Sequence, residues 1–316
     1  MRGRIIKGIG GFYFVSRVPE SYEIFMCKAR GRLKAKNNIL YVGDYVEFEK
    51  NENHDEYVIT KIYDRRNYLI RPPVSNIDMI IIVAASKDPL PNYLAIDKLA
   101  LSCSYKGIDV AICINKSNSA SEEELLKIRN IYKPIYPYIE TDMMSNYGLE
   151  DLYNLIKGKS VAFAGASGVG KSTITNKLIE ISSLDFAHKN KIEKIIGDKR
   201  GEYMKTGNLS DKTKRGKHTT RHSEIIILRN ETMLFDTPGF TSIKPPKMDK
   251  YMVKDYFPEF RKLTEGECKF KDCQHINEPD CVVKRALEEG IISERRYNSY
   301  LNILEYEEKL SNKWYD

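Results

Sequence analysis

The chain lacks the features of a membrane or secreted protein. No apolar run in its 316 residues approaches the roughly 18 that a membrane-spanning helix needs, and the longest, Met79 to Ala85, is predicted to be a core strand. The N-terminus carries Arg2, Arg4 and Lys7 but has neither the apolar core nor the small-residue cleavage site of a signal peptide. We therefore expect a cytoplasmic protein without a membrane partner.

Cysteine is also scarce, with six in the chain. In a cytoplasmic protein these are expected to be thiols or metal ligands rather than disulfides. Cys27, Cys103 and Cys113 lie in apolar settings and are interpreted as core residues. The formal charge of +7 suits a polyanionic partner, although basic proteins without one are common. The length allows two or three domains, each able to bury a core.

The best-defined motif fits G-x-x-x-x-G-K-[ST] and is Gly165-Ala166-Ser167-Gly168-Val169-Gly170-Lys171-Ser172-Thr173. A buried strand is predicted before it at Ser160–Ala164, and a helix after it at Ile174–Ile181. The glycines let consecutive N–H groups face a phosphate, and the helix adds the positive end of its dipole. In this motif Lys171 reaches the β- and γ-phosphates and the Ser172 hydroxyl ligates Mg²⁺. The stretch predicts a nucleotide-phosphate site.

Residues 1–73 are interpreted as a small β-barrel, and an OB-fold is the expected kind. Five strands are predicted, at Phe12–Val15, Tyr22–Met26, Tyr41–Val42, Tyr45–Phe48 and Tyr57–Ile62. The segment has fourteen Lys or Arg against nine Asp or Glu, and its aromatic residues are interleaved with Arg30, Arg32, Lys34 and Lys36. That mixture suits a nucleic-acid surface, but core tyrosines with solubilising lysines would give the same pattern.

Pro72-Pro73 mark the expected end of this barrel, because two prolines stiffen the chain and end strand pairing. Beyond them apolar strands alternate with helices, which is typical of a parallel sheet covered on both faces. The predicted elements are Ile77–Ala85, Tyr93–Tyr105, Val110–Ile114, Ser121–Ile131, a short strand near Ile135–Ile139 and a helix from Gly148. We therefore expect residues 74–245 to form one α/β domain.

Asn115-Lys116 stands at the carboxyl end of a predicted strand and resembles the base-recognition element N-K-x-D of GTP-binding proteins. In those proteins the element lies downstream of the phosphate loop, whereas here it lies 50 residues upstream of Gly165. An Asn-Lys pair alone is a weak signal, so its meaning depends on the motifs that follow.

A basic segment follows the phosphate-loop helix. From Ala187 to His222 there are eleven Lys or Arg against four Asp or Glu, with few apolar residues, which predicts a mobile loop. A strand at Ser223–Leu228 comes next, and then a second strand that ends in Asp236-Thr237-Pro238-Gly239. An apolar strand ending in Asp-x-x-Gly is the arrangement that places a carboxylate near Mg²⁺ and a glycine N–H near a γ-phosphate.

Residues 246–316 are expected to form a helix-rich module around a metal. Four soft ligands fall within 14 residues: Cys268, Cys273, His275 and Cys281. Zn²⁺ takes four tetrahedral nitrogen or sulfur ligands, and a Cys₃His set leaves no position for water, so the predicted site is structural. Such a site contributes folding free energy to a small module. A charged amphipathic helix is predicted at Tyr300–Tyr315.

The GTPase motifs stand here in permuted order, as Asn115-Lys116, the phosphate loop, Gly216 to Thr220, and Asp236 to Gly239. With the Cys₃His set, this pattern resembles the ribosome small-subunit-dependent GTPase A family, the circularly permuted GTPases of 30S assembly. The resemblance covers about Ile5 to Leu304. It implies an OB-like barrel, a circularly permuted α/β P-loop GTPase domain and a C-terminal zinc module. The implied ligands are GTP or GDP with Mg²⁺ and one Zn²⁺, and the implied partner is the small ribosomal subunit with its rRNA.

Two departures concern the base. The fourth residue of N-K-x-D is an aspartate that accepts hydrogen bonds from guanine N1–H and the 2-amino group, but here it is Asn118. Thr141-Asp142-Met143 occupy the place of the usual Ser-Ala of a further base-contacting loop. Unless other contacts compensate, we expect this chain to bind GTP more weakly than its relatives do and to prefer GTP over XTP by a smaller factor. We also expect Asn118→Asp to raise the affinity for GTP. The alternative is that Asn118 points away and backbone groups read the base.

A third departure concerns catalysis. Phe240 follows Gly239, where a GTPase of the Ras type carries a water-orienting glutamine, and a phenyl ring cannot position water. His218 in the basic segment is the best candidate for that role, as the family resemblance also implies. Thr220 precedes Arg221 as the Mg²⁺-coordinating threonine does in many bacterial GTPases, and it is assigned to Mg²⁺ with Thr219 as the alternative.

The predicted function is that of a monomeric GTPase that binds the small ribosomal subunit during late maturation and hydrolyses GTP when the subunit activates it. The first alternative is a nucleotide-gated RNA-binding checkpoint or chaperone whose hydrolysis is incidental. The second is a P-loop kinase, which is disfavoured because the sequence shows no lid motif and because Asp236 to Gly239 is GTPase-like.

Overall fold

The chain folds into two compact units, each assembled from separate stretches of sequence. A computed structural model describes residues 1–17, 21, 23–31, 39–51, 56–182, 223–236, 240, 247–264, 268–270 and 272–312. The first unit comprises Met1–Met79, Asp151–Phe163 and Ser172–Ser242, and the second comprises Ile80–Glu150, Ala164–Lys171 and Ile243–Asp316. None of the described helices is both long enough and apolar enough to cross a membrane.

The first unit contains a closed five-stranded barrel. Its strands are β1 (Arg2–Ile9), β2 (Phe12–Ser16), β3 (Ile24–Ala29), β4 (Tyr45–Lys50) and β5 (Tyr57–Ile62). They pair in the order β1-β2-β3-β5-β4, and β4 pairs back onto β1. The side chains of Phe14, Val46, Phe48 and Ile59 are fully buried, so they form the barrel core. This closed five-strand order is that of an OB-fold, and the predicted barrel is confirmed.

The prediction of five strands has the right number but misplaces one of them. Tyr41–Val42 is not a strand, since Val42 makes only an isolated bridge to Val74. The missing strand is β1, which pairs with both β2 and β4. The sequence pattern does not predict this strand, because the buried residues Ile5 and Ile6 follow Arg4, which is itself only 2% exposed. A buried arginine breaks the apolar alternation on which strand prediction depends.

Arg4 is buried because backbone and side-chain acceptors from distant parts of the first unit surround it. Its guanidinium donates to the Gly43 carbonyl at 3.1 Å, the Asn76 carbonyl at 2.6 Å and the Ser160 hydroxyl at 2.5 Å. A buried charge is tolerated when its donors are satisfied in this way. Arg4 therefore joins the barrel to the first residue of the strand that precedes the phosphate loop.

The rest of the first unit consists of further strands and most of two helices. The strands are the short pair β6 (Tyr68–Leu69) and β7 (Val74–Ser75), then β11 (Ser160–Ala164), β12 (Glu224–Ile227) and β13 (Met233–Asp236). β11 runs parallel to β13, β13 is antiparallel to β12, and β12 is antiparallel to β1. Two helices flank β11 in the chain: α3 (Leu149–Ile156) precedes it and α4 (Lys171–Ile181) follows it. α4 begins three residues before the predicted start, and it buries Ile174 and Leu178 but leaves Ile181 exposed.

The second unit contains the strands of the base-recognition element. They are β8 (Met79–Ala85), which is buried throughout, β9 (Asp109–Asn115) and β10 (Tyr138–Glu140), with β9 parallel to β10. Helix α1 (Tyr93–Tyr105) follows β8 and α2 (Glu122–Tyr132) follows β9. The Asn92 side chain caps α1, and Ser121 with Glu124 forms a capping box at the start of α2. The predicted elements are confirmed with small shifts of their ends.

The C-terminal part of the second unit is helical. It consists of a 3₁₀ segment (Lys250–Tyr256), α5 (Pro258–Thr264), α6 (Val282–Glu288) and α7 (Glu294–Asn312). α7 starts six residues before the predicted Tyr300, because the buried face of this helix begins at Arg296 and Tyr297. Four aromatic rings pack against one another in this core, with one stacked pair (Phe257 and Phe260), one edge-on pair (Phe257 and Tyr300) and one tilted pair (Tyr297 and Tyr300).

An arginine also lies at the centre of the second unit. Arg296 is 1% exposed. It forms ion pairs with Asp97 of α1 and with Glu259 of α5, the latter through two hydrogen bonds of 2.8 and 3.1 Å. The Asp97 carboxylate also accepts a hydrogen bond from the Tyr132 hydroxyl at 3.1 Å. Arg296 thus holds α1 and α5 to α7.

We expect Arg296→Met to destabilise the protein by about 3–5 kcal/mol, because the change leaves the buried Asp97 and the half-buried Glu259 carboxylates without their cation. Urea and thermal unfolding followed by circular dichroism would measure the loss. Arg295→Met is the matched control, since Arg295 is exposed and its guanidinium lies over the Tyr93 ring, so its loss should cost about 1 kcal/mol or less. Equal losses for the two variants would contradict the assignment.

Candidate nucleotide site and metal centre

The phosphate loop leaves β11 through three glycines in conformations that other residues rarely adopt. Gly165, Gly168 and Gly170 have φ angles of 137°, 79° and 98°. A Cβ on Gly165 would collide with the Val83 carbonyl oxygen, and a Cβ on Gly170 would collide with the Asn115 side chain. Gly168 has open space around it. Two of the three glycines are therefore needed for close packing as well as for backbone freedom.

One side chain connects this loop to the base-recognition element. Asn115 is 3% exposed. Its Nδ2 donates to the Val169 carbonyl at 2.9 Å, and its Oδ1 accepts from the Thr141 hydroxyl at 3.1 Å. The structure thus brings together Asn115 and the loop that the sequence places 50 residues downstream.

The open side of the loop is available to a ligand. Ala166, Ser167, Gly168, Ser172 and Thr173 are exposed. The first turn of α4 follows the loop directly, so its backbone N–H groups and the loop's N–H groups are available to an anion.

Lys171 folds back on the loop. Its Nζ donates to the carbonyls of Gly165 at 3.0 Å and Ala166 at 2.6 Å. Burial lowers the pKa of Lys171 from its ordinary value. A phosphate on the loop would offer this ammonium charged acceptors in place of two neutral carbonyls.

The base-recognition element begins where β9 ends. Lys116 has a φ of 59°, and its Nζ donates to the Asp88 carbonyl at 2.5 Å. The Ser117 N–H donates to the Thr141 carbonyl at 3.1 Å, which holds the element beside the end of β10. Asn118 is exposed, and its Nδ2 donates to the Ser145 hydroxyl at 3.1 Å.

Asp236 occupies the end of β13. It is exposed and lies one residue beyond the register pair that joins Phe235 to Ala162 of β11. Asp236 therefore follows the end of β13 that lies beside the carboxyl end of β11. Phe240 is 2% exposed, which agrees with the inference that this side chain does not position water.

Several predicted residues cannot be placed. His218, Thr219, Thr220 and Gly239 lie outside the described residues. The same holds for the whole of the basic segment and for Arg32, Lys34 and Lys36 of the barrel, whereas Arg30 is described and exposed. Their roles remain predictions from the sequence.

The four predicted metal ligands converge in the C-terminal helical part. The ligand atoms of Cys268, Cys273, His275 and Cys281 all lie within 4.8 Å of one another. His275 Nδ1 is 3.3 Å from the sulfurs of Cys273 and Cys281 and 3.8 Å from that of Cys268. The sulfurs of Cys273 and Cys281 are 3.8 Å apart. A tetrahedral shell with metal–sulfur bonds of about 2.3 Å places its sulfurs about 3.8 Å apart, so the four groups fit one metal ion.

The protonation of the histidine suits this role. Burial, together with the nearby Lys254 ammonium, lowers the pKa of His275 to about 4. The imidazole is therefore neutral near pH 7, which is the form that ligates a metal.

Comparison with known proteins identifies the family. The RsgA GTPase model matches residues 62–245 and the RsgA N-terminal domain model matches residues 2–58. The chain belongs to the RsgA GTPase family. A relative from Alkaliphilus metalliredigens is 39% identical over 305 residues, which is 96% of each chain. A relative from Clostridium botulinum is 40% identical over 316 residues, covering 99% of this chain and all of the relative. Both are named small ribosomal subunit biogenesis GTPase RsgA.

Solved structures agree with this membership. The crystal structure of YjeQ from Thermotoga maritima has a TM-score of 0.76 at 29% identity and covers 96% of this chain and 97% of its own. YloQ, described as a circularly permuted GTPase, has a TM-score of 0.76 at 27% identity and covers 98% of this chain and 95% of its own. The predicted family, permuted fold and enzyme class are therefore confirmed.

Some residues that support the Cys₃His cluster of this RsgA-family chain were not assigned roles from the sequence. The Tyr297 hydroxyl donates to the His275 carbonyl and the Tyr300 hydroxyl to the Gln274 carbonyl, both at 2.6 Å. The Glu278 carboxylate accepts from the N–H groups of Gln274 and Ile276. These bonds fix the loop that carries the histidine, as partners of metal ligands do in general. The sequence shows how far these three side chains lie from the cysteines and the histidine along the chain. It does not show which backbone groups they bind.

For the phosphate loop, we expect Gly170→Ala to reduce GDP affinity at least tenfold more than Gly168→Ala. Both changes strain a residue with positive φ by about 1–2 kcal/mol, but only the first also displaces Asn115. Calorimetric titration of GDP in the presence of Mg²⁺ would measure both affinities. Similar losses for the two variants would show that the contact between Gly170 and Asn115 does not matter for binding.

Proposed function

We propose that this chain hydrolyses GTP on the small ribosomal subunit during the subunit's maturation. The observation that carries the proposal is the Asn115 side chain, which joins the base-recognition element to the phosphate loop although the two stand in permuted order. Membership of the RsgA GTPase family supports the nucleotide, and the names of the relatives support the partner.

The chemistry follows from charge and position. The N–H groups of residues 166–171 and of the first turn of α4 would bind the phosphates, and Lys171 would neutralise charge on the β- and γ-phosphates. Mg²⁺ would be held by the Ser172 hydroxyl and by Thr220, with Thr219 as the alternative ligand. A bound Mg²⁺ supplies electrostatic stabilisation of the transferring phosphoryl group. The exposed Asp236 carboxylate and the Gly239 N–H complete the proposed γ-phosphate side of the site.

Water activation is assigned to His218. Phe240 is buried, so the residue after Gly239 does not orient water, and an imidazole can do so. Because His218 lies in a segment with eleven basic residues, we propose that contact with rRNA positions it. Intrinsic hydrolysis should then be slow and subunit-stimulated hydrolysis fast.

The test of the function compares the hydrolysis of GTP, ATP and XTP with and without purified small subunits. Stimulation of GTP hydrolysis by orders of magnitude supports the proposal. A rate that subunits leave unchanged would instead favour the checkpoint or chaperone alternative. Binding to the subunit should weaken steeply with salt, because contacts to phosphates release counterions.

We expect His218→Ala to lower subunit-stimulated hydrolysis by at least a hundredfold while GTP affinity changes less than about threefold. The reason is that the imidazole acts on the attacking water in the transition state rather than on the bound nucleotide. Single-turnover hydrolysis and nucleotide titration would measure the two effects. His222→Ala is the matched control in the same basic segment and should retain stimulated activity. A loss of binding equal to the loss of turnover would contradict the role.

We also propose that the Cys₃His cluster holds one structural Zn²⁺. The donor set and the distances between ligand atoms suit zinc, and four protein ligands leave no position for a reacting water. When bound, the ion would supply folding free energy to the helical part that carries it and no catalytic chemistry.

For the metal, we expect about one equivalent of zinc per chain, measured by plasma mass spectrometry of purified protein. Cys281→Ser should remove most of it and lower the melting temperature, because three ligands hold the ion far less tightly than four. Cys103→Ala is the control, since Cys103 is buried in the same unit but away from the cluster. Far less than one equivalent, with no loss of thermal stability on chelation, would refute the site.

A further inference from the structure

Guanine places two hydrogen-bond donors side by side, N1–H and the 2-amino group. A site that selects guanine must therefore offer two acceptors at that edge, since an unmatched buried donor weakens binding by about fivefold to a hundredfold. An aspartate would supply both from one carboxylate. This chain has Asn118 at that position, and its amide has only one acceptor oxygen.

The structure fixes the direction of the Asn118 amide. Its Nδ2 donates to the Ser145 hydroxyl at 3.1 Å. Since the donor end of the amide is bound to the loop after β10, the acceptor end, Oδ1, points the other way and can receive one donor of a base. One more acceptor is needed.

Asp142 lies on the other side of the same serine. It follows the end of β10, which is held beside the base-recognition element by backbone hydrogen bonds from Thr141 to Ile114 and from Ser117 to Thr141. The Ser145 hydroxyl lies 3.4 Å from the Asp142 Oδ1. The side chains of Asn118 and Asp142 are thus linked through one hydroxyl group.

The two carboxylate oxygens of Asp142 have different surroundings. Oδ1 accepts hydrogen bonds from the N–H groups of Met144 at 3.0 Å and Ser145 at 3.2 Å. Oδ2 accepts none from the described residues, yet it is not sealed from solvent, although the residue as a whole is only 6% exposed. Asp142 therefore has one oxygen holding the turn and one oxygen available to a ligand.

We infer that Asp142 supplies the guanine-reading carboxylate that the Asn118 position lacks. In this assignment the Asp142 Oδ2 accepts from the 2-amino group and the Asn118 Oδ1 accepts from N1–H. The inference rests on the proposed function as a GTP hydrolase and names the residues that give it base specificity. It also replaces the expectation of weak GTP binding, because Asp142 would supply the compensating contact.

A purely structural role for Asp142 predicts different nucleotide affinities from a base-reading role. If the carboxylate only caps the turn at residues 142–145, its loss weakens the loop for every base alike. If the carboxylate reads the 2-amino group, removing it changes the affinity by an amount that depends on the substituent that the base carries at C2. GDP carries an amino group there, XDP a carbonyl and IDP only hydrogen, so these three nucleotides separate the two roles.

The experiment measures the affinities of GDP, IDP and XDP by calorimetry with Mg²⁺ present. Asp142→Asn retains an oxygen for the turn but presents an NH₂ group to the base. We expect GDP affinity to fall about tenfold, IDP affinity to change less than threefold, and XDP affinity to rise. Asp109→Asn is the matched control, because Asp109 is an exposed carboxylate at the opposite end of β9, and it should change none of the three.

A second variant moves the carboxylate instead of removing it. The double change Asn118→Asp with Asp142→Asn should restore GDP affinity to within about threefold of the parent, since one aspartate then offers both acceptors. Asn118→Asp alone should gain less than about twofold, because the acceptors are already supplied.

Three outcomes would overturn the inference. They are an equal loss of GDP, IDP and XDP affinity in Asp142→Asn, no change in any of the three, or no recovery in the double variant. A parent protein that binds GDP tightly with any of these outcomes refutes the role of Asp142 but leaves the proposed function intact. A parent protein that binds no guanine nucleotide refutes both.

Discussion

The nucleotide site depends on the amide of Asn115. Its donor and its acceptor are both used, one on the Val169 carbonyl and the other on the Thr141 hydroxyl, and the side chain is almost completely buried. Gly170 must lack a side chain for this amide to fit. One side chain thereby sets the spacing between the phosphate loop, the base-recognition element and the end of β10. Since such a contact does not depend on how the strands are connected, the order of the motifs along the chain can change while the site is retained.

The parts of this site that were predictable from the sequence are those whose information is local. The phosphate loop combines a strand, a glycine turn and a helix within 22 consecutive residues, from Ser160 to Ile181, and all three were found. The metal cluster likewise depends on four ligands within a short stretch, and they converge as their spacing predicts. In both cases the chemistry of the residue types and their spacing are sufficient, because few folds of so short a segment can satisfy them.

The parts that were missed depend on partners that are distant in sequence. Arg4 and Arg296 carry the signature of surface residues, and both are almost fully buried. Arg4 is satisfied by groups 39, 72 and 156 residues away, and Arg296 pairs with a carboxylate 199 residues away. No window of sequence contains both a buried guanidinium and its acceptors, so β1 and the start of α7 were misjudged. Each arginine joins segments that the chain order separates, Arg4 through hydrogen bonds to neutral acceptors and Arg296 through ion pairs. Both contacts serve specificity of arrangement rather than stability alone.

The same distinction applies to the departures from the GTPase motifs. A motif states which residue type stands at a sequence position, whereas a base requires an acceptor at a point in space. Because β9 and β10 are parallel and end at the same edge of the sheet, a carboxylate that follows either strand reaches nearly the same point. The loss of aspartate at position 118 therefore does not imply a loss of guanine selectivity while Asp142 stands beside it. The buried Phe240 is the converse case, since a phenyl ring offers no group that can orient water. In the proposed function, base selectivity is kept by a local exchange of residues, whereas water activation is assigned to His218 in a separate segment of the chain. Hydrolysis rather than binding would then be the step that a partner controls.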